Sequence, residues 1–85
     1  MTTDAEAEVV VYWRPGCPFC SGLFRQLDKL GVEYTRTNIW DDSSAAAFVR
    51  SVANGNETVP TVSVGGKSLV NPRGADVVAL LEAEA

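Results

Sequence analysis

Residues 9–20 read Val-Val-Val-Tyr-Trp-Arg-Pro-Gly-Cys-Pro-Phe-Cys, and this stretch decides how the rest of the 85-residue chain is to be understood. The run from Val9 to Trp13 is apolar and rich in β-branched and aromatic residues, the pattern of a strand covered on both faces. Arg14-Pro15-Gly16 breaks it. From Pro18 onward the apolar positions Cys20, Leu23, Phe24, Leu27 and Leu30 recur at helical spacing until Gly31. A proline in the first turn costs this helix nothing, since its missing N–H would be unpaired there in any case. Cys17 therefore marks the junction of strand and helix, and Cys20 lies in the first helical turn.

Working outward, Val32 to Ile39 alternates loosely and predicts a second strand. Strand, helix and strand over about 30 residues make a βαβ unit with a right-handed crossover. Asp41-Asp42-Ser43-Ser44 supplies capping oxygens and negative charge for a helix start, and Ala45, Phe48, Val49 and Val52 carry its apolar stripe up to Asn54-Gly55. Thr61–Val64 and Ser68–Val70 are short β-prone runs around a Gly65-Gly66-Lys67 turn, which predicts an antiparallel hairpin. Asn71 as cap and Pro72 in the first turn predict a last helix whose apolar residues are Val77, Val78, Leu80 and Leu81. The order is βαβαββα in an α/β domain over residues 9–85, after an N-terminal tail over residues 1–8.

Composition narrows the function. With 7 basic against 11 acidic residues the chain has no electrostatic footprint for nucleic acid. The start MTTDAEAE has neither the basic nor the apolar part of an export signal, and no apolar run approaches the roughly 20 residues of a membrane span, so a cytoplasmic location is expected. In that compartment two cysteines are not expected to form a standing disulfide. The absence of histidine removes the usual general base, the Cys-His pair and the commonest metal ligand.

The spacing Cys17-Pro18-Phe19-Cys20 beside a βαβ unit is a redox motif. At a helix N-terminus, unpaired N–H groups and the positive end of the dipole favour a thiolate, so the pKa of Cys17 is expected below the free value of about 8.5. Cys20 belongs to the apolar stripe and should be buried and protonated. One turn brings it near Cys17, where it can resolve a mixed disulfide. Phe19 should project outward as a rim for the partner sulfur's carrier, with Pro18 stiffening the turn. A structural disulfide across so short a loop would remove little chain entropy. A zinc site would want four ligands where this chain offers two thiols.

Thr58-Val59-Pro60-Thr61 opens a predicted strand with a proline, which points to a cis peptide bond. If that loop packs beside Cys17, the Val59 backbone can pair with an extended thiol ligand as an added strand would. Arg14 could stabilise the thiolate or meet an acidic ligand. Trp13 reads as core or rim packing rather than a ligand platform, and Trp40, just past the second strand, as a packing residue that could instead line the ligand groove; Asn71 reads as a helix cap, and Asp41-Asp42 as a helix start rather than a catalytic pair.

The residues YWRPGCPFC, the later TVPT and the βαβαββα order resemble the glutaredoxins, a family with the thioredoxin fold, over residues 9–82. That resemblance implies a mixed four-stranded sheet with helices on both faces. FVRSVANGNETVPTV followed by LVNP is similar, more particularly, to the mycoredoxins, which reduce mixed disulfides between proteins and the low-molecular-weight thiol mycothiol. It implies Cys17 as attacking thiol, Cys20 as second thiol, and Thr58, Val59 and Pro60 as the substrate-facing loop. The implied partners are mycothiolated or disulfide-containing client proteins and mycothiol with its flavin reductase, with a monomeric protein and no bound cofactor or metal. Where glutaredoxins carry Gly-Gly and an acidic or hydroxyl residue for a glutathione carboxylate, this chain has Val70-Asn71-Pro72-Arg73, which points away from glutathione. A dithiol electron donor of the thioredoxin or ribonucleotide-reductase redoxin type, an Fe–S cluster-binding glutaredoxin and a redox-inactive binding domain are the competing readings.

Overall fold

The structure, a computed structural model, describes residues 8–84. The expected tail over residues 1–8 lies, but for Glu8, outside the described residues; the Glu8 carbonyl already accepts the N–H of Gly65 at 3.3 Å. The elements are β1 (Val9–Trp13), α1 (Pro18–Lys29), β2 (Thr35–Asn38), α2 (Ser43–Val52), β3 (Thr61–Val64), β4 (Lys67–Val70) and α3 (Gly74–Glu84). The sheet runs β2-β1-β3-β4. β1 is parallel to β2, while β1 with β3 and β3 with β4 are antiparallel, as a βαβ unit followed by a hairpin requires.

Alternation along β1 divides the interior into two layers. Val9 and Val11 join Leu23, Phe24 and Leu27 of α1, Val62 and Val64 of β3 and Val77 of α3 in the larger cluster. On the opposite face Tyr12 packs with Ile39, Ala45, Ala46 and Val49, its ring 5.0 Å from that of Phe48. Thus α1 and α3 cover one face and α2 the other. This is the thioredoxin fold.

Three boundaries differ from the sequence reading. The second strand is shorter than Val32–Ile39, because residues 30–32 close α1: Gly31 takes φ +73°, its N–H reaches the Asp28 carbonyl at 3.2 Å, and the Val32 N–H reaches the Leu27 carbonyl at 3.0 Å. This paired closure is the Schellman arrangement, and it leaves Val32 and Tyr34 packed on the core before pairing with β1 begins. In the hairpin Lys67 already pairs with Val64, so the turn is Gly65-Gly66 alone. Asn71 does not cap α3, and Pro72 lies before the helix rather than at its first position. Asn71 sits at φ +52° and donates its N–H to the Pro60 carbonyl at 2.7 Å. The helix begins at Gly74, where Asp76 Oδ2 accepts the Arg73 N–H at 2.9 Å and the Arg73 carbonyl receives the N–H groups of Asp76 and Val77. A carboxylate at the third helical position reaching back to the cap N–H is half of a capping box.

The register sets the location of the site. Trp13 lies opposite Asn38 and Tyr12 opposite Thr61, so β1 and β2 end, and β3 begins, along one edge of the sheet. Residues 14–17, 39–42 and 58–60 leave or enter the sheet there, the usual location for a site in a sheet with parallel strands.

Candidate active site

Cys17 is the N-cap of α1, with extended backbone at φ −100° and ψ 104°. Its Sγ accepts the N–H of Cys20 at 3.2 Å, and its carbonyl accepts the N–H of Ser21 at 3.2 Å. Sulfur here occupies the place of a capping oxygen, accepting a backbone N–H at the positive end of the helix. As a thiol, Cys17 donates to the Val59 carbonyl oxygen at 3.8 Å. Only 7% of the Cys17 surface is exposed, so a partner must bring its sulfur into the cleft between the loop and α1.

Cys20, 1% exposed, faces the core as its place in the apolar stripe predicts. Both cysteines are free thiols. Burial, with the hydrogen bond and charge of Cys17 adding to it, pushes the Cys20 thiol up to about 12; the Arg14 backbone pulls more weakly the other way. The same motif thus gives two unlike sulfurs: Cys17 accepts a backbone N–H at the helix start, and Cys20 keeps its proton throughout the neutral range.

The other sequence candidates fall around this pair. Pro18 occupies the first helical position and Phe19 stands 70% exposed beside it. The Val59-Pro60 peptide bond is cis. Val59 packs against both core clusters. Pro60 is buried, and the Thr58 carbonyl accepts the Thr61 hydroxyl at 2.7 Å. Arg14 lies over Trp40: its guanidinium carbon is 5.9 Å from the indole centroid and its Nη1 donates to the Pro15 carbonyl at 3.3 Å. Trp13 is the packing residue expected, edge-on to Phe24 with centroids 6.0 Å apart.

Of the two roles open to Trp40 packing is the one the structure goes against, because the residue is 63% exposed while its neighbour Ile39 is buried. A single Trp just after a strand gives no sign of which way its ring turns. Two further contacts at the loop were not anticipated. Asn71 ties the start of the β4–α3 connection to Pro60, and Arg50 at the end of α2 pairs with Glu57 at 2.6 Å, just before Thr58. The second could have been sought in the sequence as opposite charges at the two ends of the turn that follows α2.

The family model for glutaredoxin matches residues 9–69, a span that includes both cysteines, the cis-proline loop and all but the last residue of the hairpin. The chain belongs to the glutaredoxin family. It is 39% identical to Mycoredoxin 1 of Corynebacterium glutamicum over 78 residues, covering 91% of this chain and 96% of that protein. Among solved structures it is similar to the glutaredoxin of Archaeoglobus fulgidus, with a TM-score of 0.72 and 25% identity over 88% of this chain and 86% of that one. It shares its fold also with the glutaredoxin-like NrdH-redoxin of Escherichia coli, with a TM-score of 0.73 and 23% identity over 86% and 93% of the two chains. This glutaredoxin is a thiol–disulfide oxidoreductase. In such an exchange an attacking thiolate displaces one sulfur of a disulfide and takes its place, with no net change in the number of disulfides.

Proposed function

We propose that this glutaredoxin reduces mixed disulfides between proteins and mycothiol by a monothiol mechanism at Cys17. The observation that carries the reading is the inequality of the two sulfurs: Cys17 Sγ sits on the Cys20 N–H at 3.2 Å, while Cys20 is buried and holds its proton up to about 12. In the first step the Cys17 thiolate attacks the mycothiol sulfur. A Cys17–mycothiol disulfide forms, and the client sulfur leaves as a thiolate that takes a proton from water. In the second step a free mycothiol thiolate attacks the mycothiol sulfur of that adduct. Mycothiol disulfide leaves, Cys17 returns as a thiolate, and a flavin reductase restores the thiol pool.

The choice of mycothiol is supported by the 39% identity to Mycoredoxin 1 and by Val70-Asn71-Pro72-Arg73 standing where glutaredoxins place a glutathione-carboxylate site. The Val59 backbone and Pro60 present the wall against which the ligand's cysteinyl part would extend. The experiment is turnover of one client peptide carrying either mycothiol or glutathione in mixed disulfide. Faster turnover of the mycothiol form by the wild type and by Cys20→Ser supports the reading. Loss of all activity in Cys20→Ser would instead favour a dithiol electron donor that needs both cysteines of the motif.

A further inference from the structure

We propose that the exposed indole of Trp40, braced by Arg14, is a stacking platform for the sugar of a neutral glycosylated thiol, and so selects the low-molecular-weight thiol that Cys17 accepts. This rests on the mycothiol reading above and extends it to a residue outside the CPFC and cis-proline segments.

The placement follows from the sheet. β1 and β2 are parallel with Trp13 opposite Asn38, so Trp40 and the Arg14–Cys17 loop emerge from neighbouring strands at the same end. The backbone around Trp40 is pinned by three bonds: Ile39 N–H to the Trp13 carbonyl at 2.9 Å, Trp40 N–H to Asn38 Oδ1 at 2.9 Å and Asp41 N–H to the Asn38 carbonyl at 3.0 Å. The core has no need of this ring, because Ile39 enters the cluster under α2 and Trp40 remains 63% exposed. A scattered exposed apolar side chain is ordinary on a protein surface. Here the ring is also oriented, since the Arg14 guanidinium, 5.9 Å from its centroid, occupies one side and joins it to the loop that carries the nucleophile.

Charge states which ligand suits the platform. Arg14 is engaged by the indole and by the Pro15 carbonyl, Arg50 at the end of α2 by Glu57 at 2.6 Å, and the exposed Arg73 after β4 by Asp76 at 3.8 Å. Asp41 and Asp42 follow Trp40 directly, with Asp42 Oδ1 already accepting from Ser44 and Ala45. A ligand with free carboxylates, such as glutathione, meets the acidic pair beside Trp40 and three basic groups, each already facing a partner. A neutral ligand bearing many hydroxyl groups finds an aromatic face for its C–H surface and the exposed Asp41 carboxylate as an acceptor. Mycothiol has that chemistry: an acylated cysteine joined to a pseudodisaccharide, uncharged apart from its thiol.

The test compares mixed disulfides of one client peptide with mycothiol, with N-acetylcysteine and with glutathione, in the full-length wild type, Trp40→Ala and Trp40→Phe. N-acetylcysteine, used throughout as its neutral carboxamide, supplies the same reacting atoms without the sugar and without a carboxylate. The ratio of kcat/KM for mycothiol over N-acetylcysteine should fall about five- to ten-fold in Trp40→Ala, mostly through KM, and two-fold or less in Trp40→Phe, the size expected of one aromatic contact. Independently, S-methylated mycothiol should shift the Trp40 indole N–H resonance of the wild type, and S-methylated N-acetylcysteine should leave it in place. An unchanged ratio in Trp40→Ala, or equal shifts with both ligands, overturns the platform while the mycothiol reading stands on the wild type's preference over glutathione. A wild type that turns over the glutathione disulfide faster overturns that reading, and the platform with it.

Discussion

Replacing glycine by alanine at three positions should give three different outcomes, each fixed by what the new methyl group meets. At Gly74 an added Cβ would lie 2.9 Å from Gln26 Cβ, 3.1 Å from Leu30 Cδ1 and 3.2 Å from Gln26 Oε1, and the first of these atoms cannot swing away because it is fixed to the α1 backbone. α3 must retreat from α1, which stretches or breaks the 2.6 Å bond from the Gly74 N–H to Gln26 Oε1. Overpacking costs about 1–3 kcal/mol and the bond about 0.5–1.5 kcal/mol, against a gain in helix propensity below about 1 kcal/mol at a terminal position. The net loss is about 2 kcal/mol. For a domain of this size that is a fall in Tm of about 8–16 °C. At Gly22, inside α1, the methyl group would meet only Arg25 Nη2 at 3.9 Å, so propensity acts alone and stability should rise by about 0.5–1 kcal/mol. At Gly66 nothing lies within 4 Å, and the change should stay within about 0.5 kcal/mol. Urea and thermal unfolding of the three variants measure all of this. A Gly74→Ala protein as stable as the wild type would refute the claim that backbone proximity of α1 and α3 requires glycine there.

Native Cys20 keeps a proton that the unfolded chain releases near pH 9, so stability of the reduced protein should fall between about pH 9 and pH 12. One proton bounds the slope at about 1.4 kcal/mol per pH unit, and urea midpoints of wild type and Cys20→Ala across that range should converge as pH rises; parallel curves would contradict it. At pH 7 iodoacetamide should modify Cys17 and leave Cys20 unmodified until denaturant is added, since Cys20 is both protonated and 1% exposed; peptide mass spectrometry showing Cys20 labelled first would reverse the assignment of roles. Asp42 caps α2 through the N–H groups of Ser44 and Ala45, and hydrogen bonds from Ser44 and Ala45 hold its carboxyl below the usual range. Asp42→Ala should lower Tm at pH 7 and Asp42→Asn much less; because the folded value is depressed, the aspartate's advantage over asparagine should disappear as pH falls below about 4, and calorimetry across that range reads it.

Much of this was legible in the chain because short-range chemistry and long-range topology agree from Val9 to Leu27. The strand, the break at Arg14-Pro15-Gly16 and the helical stripe each have a local cause, and together they put Cys17 at a helix start and Cys20 in the core. Proline at residue 60, beside the CPFC motif, was enough to expect the cis bond. What escaped was decided by tertiary partners. Val32 and Tyr34 alternate like a strand, but Gly31 commits the chain to closing α1 first. Asn71 has the side chain of a cap, yet its backbone is claimed by Pro60, across the sheet end. Trp40 has the composition of a core residue, and only the packing of Ile39 beneath α2 shows that the interior was already filled.

The hydrogen bond between Cys17 and Val59 spans 42 residues of sequence, and β1 meets β3 over a similar separation. A nascent or truncated chain that stops before residue 58 would therefore display both sulfurs without the wall that faces them, and the chemistry becomes available only once the last strands have docked. Catalytic competence is in this sense a proofreading signal for folding. Two fragments divided in the turn after α2 should therefore each lack the assembled cleft, and disulfide exchange that rises on mixing them would report that the last strands had docked.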